Sequence, residues 1–130
     1  YRTYHGSAMS PAIQRASTAA WEDEKHVAQN RELYRAKFAQ VTPMLAEALD
    51  VKLPDAGFYL WAGVPGSDTE FARELYAQYN VTVLPGSYLA RETEGVNPGA
   101  GRVRMALVAD TAECVEAAQR IIEFARKFKK

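Results

Sequence analysis

The chain has 130 residues, 48% of them hydrophobic, and its 16 lysines and arginines balance 16 aspartates and glutamates, so it can bury one core and carries no bulk field to hold nucleic acid or an anionic membrane. Cys114 is the only cysteine, which excludes an internal disulfide and a thiolate metal cluster and suits a reducing cytoplasm. No apolar run approaches a membrane span and no signal-peptide pattern opens the chain, and the expectation is a cytoplasmic protein.

The first residue is Tyr1, not methionine, and Tyr1 to His5 reads as the middle of a segment, so a fragment of a longer protein is expected. Tyr1 to Ser10 is a polar, aromatic loop that ends in Ser10-Pro11, a cap residue followed by a first-turn proline. One long connecting helix is predicted over 11–49, with Val27, Leu33, Tyr34 and Phe38 as its apolar stripe and a kink or restart at Thr42-Pro43. Lys52 to Ala56 is a turn, and Gly57 to Val64 is an aromatic-rich strand. Ser67 and Glu70 form a capping box, with Phe71, Ala72, Leu75, Tyr76 and Tyr79 at helical spacing behind it.

Val81 to Leu84 is a short β-branched strand that runs into Pro85-Gly86, and the glycine-rich stretch Ala90 to Gly101 is a surface loop. Arg102 to Ala109 alternates: Arg102, Arg104, Ala106 and Val108 face one way, Val103, Met105 and Leu107 the other. Asp110 and Glu113 start a closing helix whose apolar face carries Val115, Ala118, Ile121, Ile122, Phe124, Ala125 and Phe128. The order predicts an α+β domain, helices packed on a small mixed sheet, spanning 1–130.

Arg104 is the first candidate for chemistry, because an arginine in an apolar strand loses hydration unless an anion meets it, and a planar guanidinium suits a carboxylate. On the residues alone a solvent-facing or edge position, or pairing with an internal carboxylate, is the better explanation, and Arg102 on the same face leaves the choice between the two arginines open. Tyr1 to Gly6 could be an anion-binding loop before a helix start or simply a polar linker. His5 has no partner in sequence and receives no catalytic role. Phe58, Tyr59 and Trp61 read as core aromatics, with Tyr59 the one that could face a cleft. Pro85-Gly86-Ser87 reads as a turn that could also approach a ligand. Cys114 reads as a buried, inert thiol. The basic end of the last helix offsets its dipole and needs no nucleic acid to explain it. There is no glycine-rich phosphate loop, HExxH pair or GxSxG elbow.

Taken in order, YHGSAMSPAIQ, GFYLW, VTVLPGSYLA and NPGAGRVRMALVA resemble the C-terminal part of class I/II aminotransferases of the fold-type I pyridoxal-phosphate family. The resemblance covers essentially the whole chain and is strongest, through YRTYHGSAMSPAIQ and VKLPDAGFYLW, to the branch that acts on N-succinyl-diaminopimelate and 2-oxoglutarate in lysine biosynthesis. It implies an aminotransferase small domain in which Arg104 binds the substrate α-carboxylate and Arg102 is a neighbour. It also implies Arg2 as a ligand for a distal carboxylate in the neighbouring subunit, although Thr3 to Ser7 depart from the relatives that use such an arginine, and Tyr59 as an aromatic at the substrate entrance. It further implies amino acid and 2-oxo acid substrates, a homodimer, and pyridoxal 5'-phosphate held by a large domain of the same polypeptide. None of Lys25, Lys37, Lys52, Lys127, Lys129 or Lys130 has the serine-rich setting of the Schiff-base lysine, so no catalytic, cofactor-binding or metal residue is expected here and the chain alone should be inactive. The rival expectation is a free-standing amino-acid-binding regulatory module.

Overall fold

The computed structural model describes Gly6 and residues 8–128, and the backbone divides into two compact units, 1–33 and 34–130. In the first, helix α1 (Pro11–Glu22) starts where Ser10-Pro11 predicts: the Ser10 hydroxyl accepts the Ile13 N–H at 3.4 Å. Instead of running on as one helix, the chain leaves helical geometry at Asp23 (φ −85°, ψ 83°) and restarts as α2 (Glu24–Ala46). The Asp23 carboxylate accepts the Lys25 N–H at 3.1 Å and meets His26 Nδ1 at 3.1 Å. A short acceptor side chain offers the new helix a local cap that competes with the continuing ladder. Pro43, where a kink or restart was expected, lies inside α2 without ending it. Both Pro43 and Ala39, whose carbonyl loses its donor, are exposed, so water can take the donor's place.

The second unit carries strands β1 (Tyr59–Gly63), β2 (Leu84–Pro85) and β3 (Arg102–Ala106) in the order β1-β3-β2. A mixed sheet was expected, but both ladders are antiparallel. β1 and β2 run in the same direction, yet β3 is inserted between them and opposes each, so the parallel relation never becomes a hydrogen-bonded one. Class α+β holds. Val103, Met105 and Leu107 are buried as the alternation requires, and Leu60 and Ala62 join them from β1.

Two helices pack their buried residues with that apolar face. α3 (Asp68–Tyr79) contributes Phe71, Ala72 and Leu75, and α4 (Thr111–Lys127) contributes Ala118, Ile121, Ile122, Phe124 and Ala125. Phe71 meets Phe124 edge-on at 5.0 Å between ring centroids. Tyr76, placed by spacing on the apolar stripe of α3, is 59% exposed, which narrows that stripe to Phe71, Ala72, Leu75 and the half-buried Tyr79, whose ring meets Phe124. α4 is capped by Asp110, which accepts the Glu113 N–H at 2.9 Å. Cys114 is buried, as expected, and burial pushes its thiol pKa up. Lys37 is buried as well, and its Nζ donates to the Leu107 carbonyl at 3.1 Å just beyond the end of β3.

The glycine-rich stretch after β2 is pinned. Asp68 is buried at the start of α3, and its Oδ2 accepts the Ser87 N–H at 2.8 Å. The Asn97 side chain donates to the Ser87 carbonyl at 3.0 Å and accepts the Gly99 N–H at 2.9 Å. Gly86 and Gly99 approach backbone to backbone: a Cβ on Gly86 would lie 2.3 Å from the Gly99 carbonyl oxygen. Only glycine allows that approach.

Burial raises the Asp68 pKa, but the N–H donors of Ser87 and Gly101 and the Ser87 side chain outweigh it and leave the pKa below the ordinary value. A carboxyl with a depressed folded pKa contributes stability that is fully present above the unfolded value and is lost as pH falls through the folded one. Asp68→Ala should therefore destabilise by about 1–3 kcal/mol near neutral pH, measured by urea unfolding. Asp68→Asn, which keeps an acceptor oxygen, should cost less near neutral pH and should flatten the acid limb of a stability-versus-pH curve; an unchanged acid limb would show that Asp68 makes no such contribution. Gly86→Ala should cost about 1–3 kcal/mol through the forced separation of the two backbones, read from the same unfolding curves.

Candidate functional site

The alternation that buries Val103 and Met105 turns Arg102 and Arg104, both half-buried, to the opposite face of β3. On that face the register sets Trp61 beside Arg104 and Gly63 beside Arg102, with Leu84 beside Arg104 on the other flank. A cavity of about 710 Å³ opens there, lined by Arg102, Arg104, Asp50, Lys52, Tyr59 and Trp61 and by the apolar Leu53, Pro54, Ala56 and Leu89. That size and a wall that mixes charged with apolar groups suit a small organic anion.

The two arginines, which spacing leaves equivalent, are not equivalent in the folded chain. Arg102 places its Nη2 3.6 Å from Asp50 Oδ2. Arg104 has no carboxylate within ion-pair distance among the described residues; its guanidinium carbon instead lies 5.4 Å from the centroid of the Tyr59 ring. An aromatic face steadies a guanidinium without neutralising it, leaving the N–H fork for a planar anion.

The expectation that Phe58, Tyr59 and Trp61 are core aromatics is corrected by the burial pattern. Phe58 is 43% exposed and Tyr59 38%, and Trp61 is half-buried on the cavity wall. The residues of β1 that enter the core are the aliphatic Leu60 and Ala62. Strand alternation alone carried that signal, because whichever face Leu60 and Ala62 take, Tyr59 and Trp61 take the other. Asp50, Lys52 and Leu89 were not singled out by sequence, and nothing local marks them: they reach the cavity through the bridge of Asp50 to Gly63 and through the pinned turn at Gly86–Tyr88. Arg2 and His5 lie outside the described residues. Cys114 does not line this cavity. Among the described residues, no three of His, Cys, Asp and Glu gather to hold a metal ion, and no helix is long and apolar enough to cross a membrane.

Comparison with known proteins gives a consistent result. A crystal structure of an aminotransferase from Neisseria meningitidis superposes with a TM-score of 0.89 and 59% identity, covering 97% of this chain and 32% of that one. A probable N-succinyldiaminopimelate aminotransferase from Thermus thermophilus superposes with a TM-score of 0.68 and 32% identity, covering 82% of this chain and 28% of that one. An LL-diaminopimelate aminotransferase of Nitratidesulfovibrio vulgaris is 32% identical over 120 residues, 88% of this chain and 29% of its own length. The chain thus spans under a third of each of these relatives. The family described as aminotransferase class I and II matches residues 2–121, and on that near-complete match this chain belongs to the class I and II aminotransferases.

Proposed function

We propose that the chain is the substrate-clamping small domain of a pyridoxal-phosphate-dependent aminotransferase, with Arg104 as the ligand of the substrate α-carboxylate. The observation that carries this reading is the unequal state of the two β3 arginines: Arg102 is engaged by Asp50, while Arg104 stands in the cavity against Tyr59 with no described carboxylate at hand. A bidentate pair with Arg104 would fix one end of the amino acid and leave its Cα–H free to be oriented for proton removal. Tyr59 forms the wall that keeps the guanidinium in place. Arg2 is proposed, from family resemblance, as the ligand of a distal carboxylate in a neighbouring subunit of a homodimer.

Pyridoxal phosphate, the cofactor of this family, acts as the electron sink for the substrate amino group. In this reading its seat lies outside this chain, as the family resemblance implies. Lys37 is buried with its Nζ on the Leu107 carbonyl, Lys127 is bound by Glu123 and Tyr79, and Lys52 is an exposed residue of the cavity lining that also contains Asp50, already paired with Arg102. We propose that the cofactor and its lysine belong to a large domain of the same polypeptide, and that the chain's own share of the reaction is to hold and orient substrate.

For the whole protein we propose transfer of an amino group between N-succinyl-diaminopimelate and 2-oxoglutarate in the cytoplasm, in lysine biosynthesis. Two relatives support the diaminopimelate theme: one carries the N-succinyl compound in its name and one the free LL-diaminopimelate. Steady-state kinetics of the full-length enzyme with both amino donors decide between them, since a higher kcat/KM for the unsuccinylated donor would overturn the succinyl assignment.

Arg104→Ala in the full-length enzyme should lower kcat/KM for both amino donor and keto acid by at least about tenfold to a hundredfold, because both present the same carboxylate and a charge-assisted pair is worth roughly 1.5–3 kcal/mol. Arg104→Lys should recover only part of the loss, since an ammonium cannot form the planar fork. Unchanged kinetics for both substrates would remove Arg104 from the role. The 130-residue chain by itself should show no transamination and no tight amino acid binding by calorimetry; tight binding without cofactor would favour a free-standing regulatory module instead.

A further inference from the structure

Arg102 and Arg104 share a residue type, a strand and a face, and something must keep the first from competing with the second for the substrate. The geometry of the sheet edge supplies it. Asp50 forms an isolated bridge to Gly63, closed by the Gly63 N–H donating to the Asp50 carbonyl at 2.7 Å, and Gly63 is in turn the register partner of Arg102. The three residues therefore lie abreast, with the glycine in the middle. Because Gly63 has no side chain, the Asp50 carboxylate passes over it to the Arg102 guanidinium. A Cβ at position 63 would stand 3.1 Å from Asp50 Cβ and 3.2 Å from Oδ2, the oxygen that faces Arg102. The missing side chain is the space that the ion pair uses.

We infer that Asp50 is a specificity-determining residue that masks Arg102, so that a substrate carboxylate is taken by Arg104 and a second carboxylate is refused on the β3 face. This rests on the assignment of Arg104 as the carboxylate ligand and names what that site rejects. Residues two apart on a strand have Cα atoms about 6.6 Å apart, a spacing at which the two guanidinium heads could grip both ends of a short dicarboxylate. A dicarboxylate gripped in that way would lie along β3 with its carbon chain tied down at both ends, an unproductive pose for chemistry at Cα. Asp50 opposes the pose twice, by neutralising Arg102 and by repelling the second carboxylate. The Arg102 and Asp50 side chains are 38% and 69% exposed, so the discrimination is graded and not absolute. Lys52 lines the same cavity, but its charge is the same in every variant compared and cancels from the ratio that tests the idea.

The test uses the full-length holoenzyme with glutarate and valerate, a dicarboxylate and a monocarboxylate of equal chain length, each titrated by calorimetry and as a competitive inhibitor. Asp50→Asn should tighten glutarate relative to valerate by roughly twofold to fivefold, the range that a partly exposed pair supplies. Adding Arg102→Met to Asp50→Asn should return the ratio to the wild-type value. Asp50→Ala serves the same purpose if the asparagine variant does not fold. An unchanged ratio in a folded Asp50 variant overturns the inference, and so does a raised ratio that survives loss of Arg102. Arg104→Ala separates this failure from that of the underlying reading. If it abolishes valerate binding while the Asp50 variants leave the ratio flat, only the masking role fails; if it leaves valerate binding intact, the Arg104 assignment itself fails.

Discussion

The strict two-residue period of β3 is the constraint on which the cavity depends. Val103 and Met105 face the helices, with Leu107 beyond the strand continuing the buried side, and that burial alone holds Arg102 and Arg104 on the other side. A slip of one residue would drive two guanidinium groups into a core of leucine, isoleucine and phenylalanine, at a cost of several kcal/mol for each unpaired charge. The same slip would expose the apolar residues. The hydrophobic effect thus positions the charged residues by excluding them, and no hydrogen bond to either arginine is needed to choose the face.

Where the strand pattern was read as alternation, it was legible. RVRMAL could be resolved into its two faces from sequence because charged and apolar residues alternate there. GFYLW could not be resolved by composition, since every residue after the glycine is apolar or aromatic and hydrophobicity gives no contrast between the faces. In the fold the aliphatic Leu60 and Ala62 fill the narrow space under the helices, and the larger Tyr59 and Trp61 stand on the open face. The cation–π contact between Arg104 and Tyr59 is a diagonal pairing across two strands that meet only through the ladder register. Sequence placed both residues among the candidates but could not place them against each other.

Helix boundaries show a second kind of limit. The caps at Ser10, Ser67 and Asp110 were legible because each is a local contact to an N–H three residues on. Proline was given more weight as a helix breaker than this chain allows: Pro43 is carried through α2 on an exposed side, whereas the break falls at Asp23, whose side chain finds the Lys25 N–H. A missing donor is inexpensive where water can reach the orphaned carbonyl, and a competing acceptor acts wherever the backbone can turn. The masking carboxylate was invisible for another reason. Asp50 becomes a neighbour of Arg102 only through Gly63, and no local window of sequence contains all three.

The open cavity also sets how strongly this chain alone can hold an anion. A guanidinium in contact with water meets a carboxylate at the effective dielectric of a protein surface, where ion pairs contribute at most about 1 kcal/mol. Covering the same pair with a second apolar surface removes competing water and strengthens the attraction, provided the fork geometry satisfies both partners. Leu53, Pro54 and Leu89, which line the cavity together with the charged groups, are apolar surface suited to meet such a cover. On the proposed reading of Arg104, such a clamp would be weak when open and strong when covered, and substrate binding would be coupled to closure, since whatever energy the carboxylate contributes beyond the surface value would be available only in the covered state.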